Sequence, residues 1–216
     1  MALLRCEALL FDLDGVLVDS RAVVEDIWRR WATERGYDPA PYLRVAHGRR
    51  IRETLESVDP TIDLDREVRE LDATEAADTS PLTAIPGALE LVRSLASDRW
   101  AIVTSGGYGL ASRRLDRAGI PHPAVFVTAE HVQRGKPDPQ GYLLAAERLG
   151  RVPAACIVFE DAPPGLEAAR AAGARVVALT TTHAREDLPG AERTIADFTS
   201  VRVSRDGAEL IVRFDA

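Results

Sequence analysis

Lysine is nearly absent from this 216-residue chain: of its 27 basic residues Lys136 is the one lysine, in Arg134-Gly135-Lys136-Pro137-Asp138-Pro139. A composition so tilted to arginine implies that positions needing only positive charge have drifted to it. The surviving lysine then marks a site where a guanidinium would not serve. Guanidinium is a broad planar fork, whereas ammonium is a compact point charge that fits against a carboxylate and a phosphate together. Lys136 is therefore the first candidate active-site residue. Cysteine is also scarce. Cys6 and Cys156 each fall beside or inside an apolar run, as small buried hydrophobes do, and support neither a disulfide framework nor a zinc site. No run approaches the ~18 apolar residues of a membrane span. Met1-Ala2-Leu3-Leu4-Arg5 leads into strand-like sequence rather than a signal-peptide h-region, so a soluble, cytoplasmic protein without a membrane partner is expected. A basic stripe is missing too. With a net charge of −7, pI about 5.2 and dispersed arginines, nucleic acid is not expected as a partner.

At 46% hydrophobic, the chain has enough apolar residues for a substantial core, and its length allows one ordinary domain plus a smaller insertion. Glu7-Ala8-Leu9-Leu10-Phe11 is the short apolar run of a central parallel strand, buried on both faces and so not alternating. Similar runs recur at Trp100–Val103, Ala124–Val127, Cys156–Phe159 and Arg175–Leu179, with helical patterns such as Ala88–Ser97 and Gly141–Leu149 between them. This alternation predicts an α/β fold, a Rossmann-like parallel sheet with helices on both faces. Between Ser20 and Ser80 strand runs disappear. Val23, Val24, Ile27, Trp28 and Trp31 recur at helical spacing, so a helical insertion is expected to leave the core after the first strand and lie over the carboxyl ends of the strands. The expected division is a core of 1–18 and 82–216 and a helical cap of 19–81. Trp28 and Trp31 read as the core of that cap. Val201 to Val212 alternates around Asp206-Gly207 and reads as a hairpin.

Ligands of open parallel α/β sheets bind beyond the carboxyl ends of the strands. Four such ends carry polar residues: Asp12 and Asp14 after the first strand, Thr104 and Ser105 followed by Gly106 and Gly107 after the second, Lys136 after the third, and Glu160-Asp161 at the fourth. Several carboxylates crowded at one sheet edge cannot all stay ionised without compensation. Lys136 supplies one positive charge; a hard divalent ion, best Mg2+, supplies the rest. Thr104, Ser105, the small Gly106 and Lys136 then form a pocket for a tetrahedral oxyanion, of which phosphate is the natural example. Held through a metal and a lysine, phosphate needs no arginine clamp in the core.

Four motifs stand in order: Asp12-Leu13-Asp14-Gly15, Thr104-Ser105-Gly106, Lys136-Pro137-Asp138 and Glu160-Asp161-Ala162-Pro163-Pro164-Gly165. With them the chain resembles the haloacid dehalogenase superfamily of phosphohydrolases over nearly its whole length. The resemblance implies that Asp12 is a nucleophile forming an aspartyl phosphate and Asp14 the acid and base. It implies Mg2+ held by Asp12, Asp161 and the backbone carbonyl of Asp14, with Glu160 assisting directly or through water. Thr104, Lys136 and the backbone N–H groups after Asp12 and Ser105 would hold the transferring oxygens. Pro163, Pro164 and Gly165 would start a helix, as capping residues.

Asp14 argues for phosphoryl transfer over halide displacement, which needs no acid for its leaving group. The phosphonate-cleaving branch uses a cap lysine, and this cap has none. β-Phosphoglucomutases share the core motifs but carry a histidine where Val24 stands, so hydrolysis is favoured over mutation of the phosphate position. Ala46-His47-Gly48-Arg49-Arg50 resembles the cap loop of small sugar and polyol phosphatases. The pattern singles out Arg50 above Arg49 for a guanidinium over the active site, with His47 on a substrate hydroxyl. The expected substrate is a small phosphorylated sugar or polyol, handled by a monomer or weak homodimer. A non-catalytic binding module is disfavoured, because it would have no use for an acid at Asp14.

Overall fold

The computed structural model describes residues 2–215. Two strands in close succession, β1 (Ala2–Cys6) and β2 (Ala8–Phe11), lead through a tight turn to the two-residue strand β3 (Val18–Asp19). Four helices follow: α1 (Arg21–Glu34), α2 (Ala40–Leu43), α3 (Ile51–Val58) and α4 (Leu64–Ala77). The chain returns through β4 (Thr83–Ala84), then runs α5 (Ala88–Ser94), β5 (Trp100–Val103), α6 (Tyr108–Ala118), β6 (Val125–Val127), α7 (Gln140–Arg148), β7 (Cys156–Glu160), α8 (Pro163–Ala171), β8 (Arg175–Leu179) and β9 (Arg193–Ile195). A hairpin of β10 (Val201–Asp206) and β11 (Glu209–Phe214) closes it.

Six strands form one all-parallel sheet in the order β6-β5-β2-β7-β8-β9. Leu9 and Phe11 of β2 join Ile102, Ile157, Phe159 and Val177 in a core on one face, beneath α5 and α6. Ala8 and Leu10 join Ala101, Val103, Val158 and Ala178 on the other, beneath α7 and α8. Burial on both faces is why these strands read as unbroken apolar runs. The sequence-predicted strands fall where expected, and β9 is additional: its run of Arg193, Thr194 and Ile195 has too little apolar character to stand out.

The tail is a hairpin, with Asp206 opposite Glu209 and Gly207 at φ 60° in the turn. Its β11 pairs with β1, giving a separate three-stranded antiparallel sheet, order β1-β11-β10. The four inserted helices bury a third cluster of their own, containing Val24, Ile27, Trp28, Trp31, Tyr42, Leu55 and Leu71. Trp28 and Trp31 pack there edge to face, and the Trp31 indole N–H donates to Glu67 at 2.7 Å. Chain exit and re-entry run side by side as an antiparallel pair, Val18 opposite Ala84 and Asp19 opposite Thr83.

Candidate active site

The sheet order puts β2 between β5 and β7, with Phe11 in register with Ile102 and Phe159. The next residue, Asp12, donates its backbone N–H to the Phe159 carbonyl at 3.0 Å and so reaches the sheet edge beside Glu160 and Asp161. Lys136 arrives from the loop after β6. Its Nζ lies 2.6 Å from Asp12 Oδ1 and 2.6 Å from Glu160 Oε1, with all three side chains buried. Glu160 has further partners: Oε1 also accepts from the Tyr142 hydroxyl at 2.6 Å, and Oε2 accepts from the Asp161 N–H at 3.1 Å. Gly165 is more than a cap residue here. A Cβ at that position would run into the Glu160 carboxylate, so glycine lets α8 approach this close.

Asp161 accepts from the Thr182 hydroxyl through Oδ2, while its Oδ1 is buried with no hydrogen-bond partner among the described residues. Asp12, Glu160 and Asp161 each offer an oxygen within 4.8 Å of the others. Burial pushes the Asp12 carboxyl up to about 7; Lys136 opposes the shift and Glu160 adds to it. Burial, then the charges of Glu160 and Asp12, push Asp161 well above the carboxylate range. Burial lowers the Lys136 ammonium, but Asp12 and Glu160 outweigh it and the net shift is upward. An orphaned carboxylate oxygen inside an undercompensated acidic cluster fits a hard divalent cation. Asp12, Glu160 and Asp161 each offer an oxygen to such an ion.

Asp14 is held from two sides: Ser20 Oγ donates to Oδ1 at 2.7 Å and Arg114 NH1 donates to Oδ2 at 2.7 Å. Sequence reasoning did not single out Arg114, a core arginine that pairs with a carboxylate rather than with phosphate. Thr104 is buried, and its Oγ1 accepts from the Gly106 N–H at 3.1 Å, so that amide is turned to the threonine rather than outward. Ser105 Oγ donates to the Gly48 carbonyl of the insertion at 3.0 Å.

A cavity of about 530 Å³ opens over these residues, lined by Asp12, Asp14, Thr104, Ser105 and Gly106 below and by His47, Arg49, Arg50, Val24 and Trp28 from the insertion. Arg50, expected over the active site, also reaches past it. Its terminal nitrogens donate to the carbonyls of Ala129 (3.2 Å), Val132 (3.0 Å) and Gln133 (3.3 Å) on the core. Glu53, one helical turn on, accepts from the Gly135 N–H at 2.9 Å, next to Lys136. These contacts clasp the insertion to the lysine-bearing loop. Among the described residues no hydrogen-bond or ion-pair partner is found for the Arg49 guanidinium, which lines the cavity, while Arg50 keeps a buried Nε without a hydrogen bond. His47 Nε2 lies 3.6 Å from Glu25, and burial followed by the neighbouring His183 lowers its pKa.

Residues 6–173, containing all of these motif positions, match the description "haloacid dehalogenase-like hydrolase". The chain belongs to that family. This haloacid dehalogenase-like hydrolase is 45% identical to hexitol phosphatase A of Escherichia coli over 181 residues, covering 82% of this chain and 84% of that protein. It is 34% identical to 2-deoxyglucose-6-phosphate phosphatase 1 of Saccharomyces cerevisiae, covering 98% of this chain and 96% of the other. Among solved structures, a hydrolase from Pseudomonas syringae superposes with a TM-score of 0.75 at 28% identity, over 88% of this chain and 92% of that one. It is an enzyme of the phosphatase type found among these relatives. No helix among the described residues is long and apolar enough to cross a membrane.

Proposed function

We propose that this enzyme is a Mg2+-dependent phosphatase of small phosphorylated sugars or polyols, with a Rossmann-like core at 1–18 and 82–216 and a cap at 19–81. One observation carries the reading: Asp12 and Asp14 line a single cavity with Thr104, Ser105 and free cap donors, beside a buried acidic cluster with an unpartnered oxygen. Asp12 attacks phosphorus in line as the ester P–O bond breaks, and Asp14 delivers a proton to the departing alkoxide. In the second step Asp14 takes a proton from the attacking water, and phosphate leaves Asp12. Lys136, Thr104 and the backbone N–H after Asp12 hold the nonbridging oxygens, where charge spreads in a loose transition state. Asp12, Asp161 and the Asp14 carbonyl would hold Mg2+, which would supply charge neutralisation between the nucleophile and the anionic ester. Arg49 and His47 meet the substrate from the cap. The hexitol and deoxyglucose phosphatases among the relatives support a sugar or polyol ester.

The test is phosphate release, with and without Mg2+, from glycerol 3-phosphate, hexose 6-phosphates, 2-deoxyglucose 6-phosphate, hexitol phosphates, β-glucose 1-phosphate and phosphoglycolate. Mg2+-dependent release favouring sugar or polyol esters is expected. Conversion of β-glucose 1-phosphate to the 6-phosphate without release would replace the reading by a mutase, and silence across the panel would replace it by a binding module. Asp14→Asn is expected to lower turnover about 10²- to 10⁴-fold, the range of general acid–base catalysis, with phosphate and Mg2+ binding retained; unchanged turnover would remove Asp14 from the mechanism.

Metal binding has a pH signature independent of activity. The Asp12 carboxyl is raised from 3.8 to about 7 in the folded protein, so between those values the folded state binds more protons than the unfolded one and metal-free stability falls as pH rises. Mg2+ binds the ionised carboxylates and stabilises the folded state by mass action. Its effect on the melting temperature is therefore expected to be larger near pH 8 than near pH 5. Equal shifts at both pH values would contradict a metal held by this cluster.

A further inference from the structure

The mechanism above gives no task to Arg114, a buried charge beside Asp14. On α6, Ala111, Arg114 and Leu115 are buried on the same face, so Arg114 stands at a position whose neighbours along the helix are apolar. A guanidinium taken out of water needs strong partners. Arg114 has two, from different parts of the molecule: NH1 is 2.7 Å from Asp14 Oδ2 and NH2 is 3.6 Å from Glu75 Oε1, with the Arg114 and Glu75 side chains 8% and 10% exposed. Glu75 lies near the end of α4, shortly before the chain returns to the core. The other oxygen of Asp14 is taken by Ser20, immediately before α1, where the chain enters the inserted helices. Entry to the insertion thus bonds Asp14 directly, and its exit does so through Arg114.

We propose that Arg114 is a positioning residue: it fixes the Asp14 carboxylate and ties it to Glu75, so that seating the insertion over the cavity and aiming the acid/base are one event. Arg114 meets the two carboxylates through two different nitrogens of one planar group, NH1 on Asp14 and NH2 on Glu75, which fixes their relative direction as a single ammonium nitrogen does not. Burial raises the pKa of Glu75 against the opposing pull of Arg114, as befits a carboxylate whose one close cation is shared. The proposal rests on the reading of Asp14 as acid/base, and the test separates the two.

Single-turnover release of the leaving group isolates the first step. An alkyl phosphate, the one turned over fastest in the panel above, needs an acid for its alkoxide; p-nitrophenyl phosphate does not. Arg114→Met is expected to slow alcohol release about a hundredfold, the effect of a misaimed catalytic group, and nitrophenol release by less than about tenfold. Glu75→Gln is expected to give the same contrast at smaller size, and Arg114→Lys to recover part of the loss. Asp14→Asn is the reference. If Asp14→Asn lacks the contrast, the acid reading of Asp14 fails and the proposal fails with it. If Asp14→Asn has it and Arg114→Met slows both substrates equally, Arg114 is merely structural. A Glu75→Gln enzyme indistinguishable from the parent overturns the tie to the insertion. Should Arg114→Met not fold, Arg114→Lys and Glu75→Gln carry the same comparison.

Discussion

Asp12→Asn should abolish turnover by about four orders of magnitude or more, as loss of a covalent nucleophile does, while the metal-free protein stays at least as heat-stable as the parent. The two halves have separate causes. An amide oxygen is too weak a nucleophile to form the aspartyl phosphate, so the chemistry stops at its first step. Stability moves the other way because Asp12 is a buried carboxylate raised to about 7, chiefly by burial and against the help of Lys136. Ionised above that pH, it carries a desolvation penalty the amide lacks. Asparagine has the same shape, and its oxygen still accepts from Lys136, which keeps Glu160 as its counterion. The advantage is expected to widen as pH rises from about 4 to about 8. Retained turnover would exclude Asp12 as the nucleophile. A large fall in melting temperature would mean that the carboxylate's bond to Lys136 outweighs its burial.

Lys136→Met is expected to do the opposite to stability. It removes the cation between Asp12 and Glu160, leaving three carboxylates in one buried cluster. Breaking a buried pair by deleting one partner costs about 3–5 kcal/mol, read from denaturant unfolding near pH 8. The loss should shrink at lower pH, where the carboxylates take up protons, and on adding Mg2+. Turnover should fall by roughly 10²–10³, the effect of losing one charge-stabilising donor. Lys136→Arg should not rescue it. The ammonium sits 2.6 Å from each of two carboxylates with the Tyr142 ring centre 5.3 Å away, a site shaped for a point charge rather than a planar fork. Parental turnover in Lys136→Arg would refute the idea that the lone lysine survives because arginine cannot replace it. Unchanged stability in Lys136→Met would refute the charge account of the cluster.

The arrangement of cap contacts gives these charges a context. Arg50 and Glu53 of the insertion grip the backbone around Lys136, Gly48 takes a hydrogen bond from Ser105, and Glu75 shares Arg114 with Asp14. The core segments that supply Asp14, Ser105 and Lys136 are thereby each held by the insertion.

Local pattern carried much of this into view from the chain alone. Apolar runs buried on both faces identified the parallel strands, and the polar residues following them identified Asp12, Asp14, Thr104, Ser105, Lys136, Glu160 and Asp161, because strand ends converge whatever the loops between them do. The helical spacing of Trp28 and Trp31 likewise announced a separate apolar cluster. Arg114 was hidden for the opposite reason. Its partner Asp14 is 100 residues away, and in a chain so rich in arginine its identity carries no signal. Its place beside Ala111 and Leu115 on the buried face of α6 was the one local hint. Arg50 was visible as a cap arginine but not its destination, since its acceptors are backbone carbonyls that every residue possesses.

The sequence by itself determined five of the six parallel strands and the acidic strand ends, because hydrophobic periodicity and strand-end chemistry are written in neighbouring residues. Only the tertiary structure decided how the charges pair. Lys136 joins Asp12 to Glu160, Arg114 joins Asp14 to Glu75, and one oxygen of Asp161 is left over. Ion pairing depends on distances of a few ångströms between segments far apart in the chain, and those distances exist only once the core has packed.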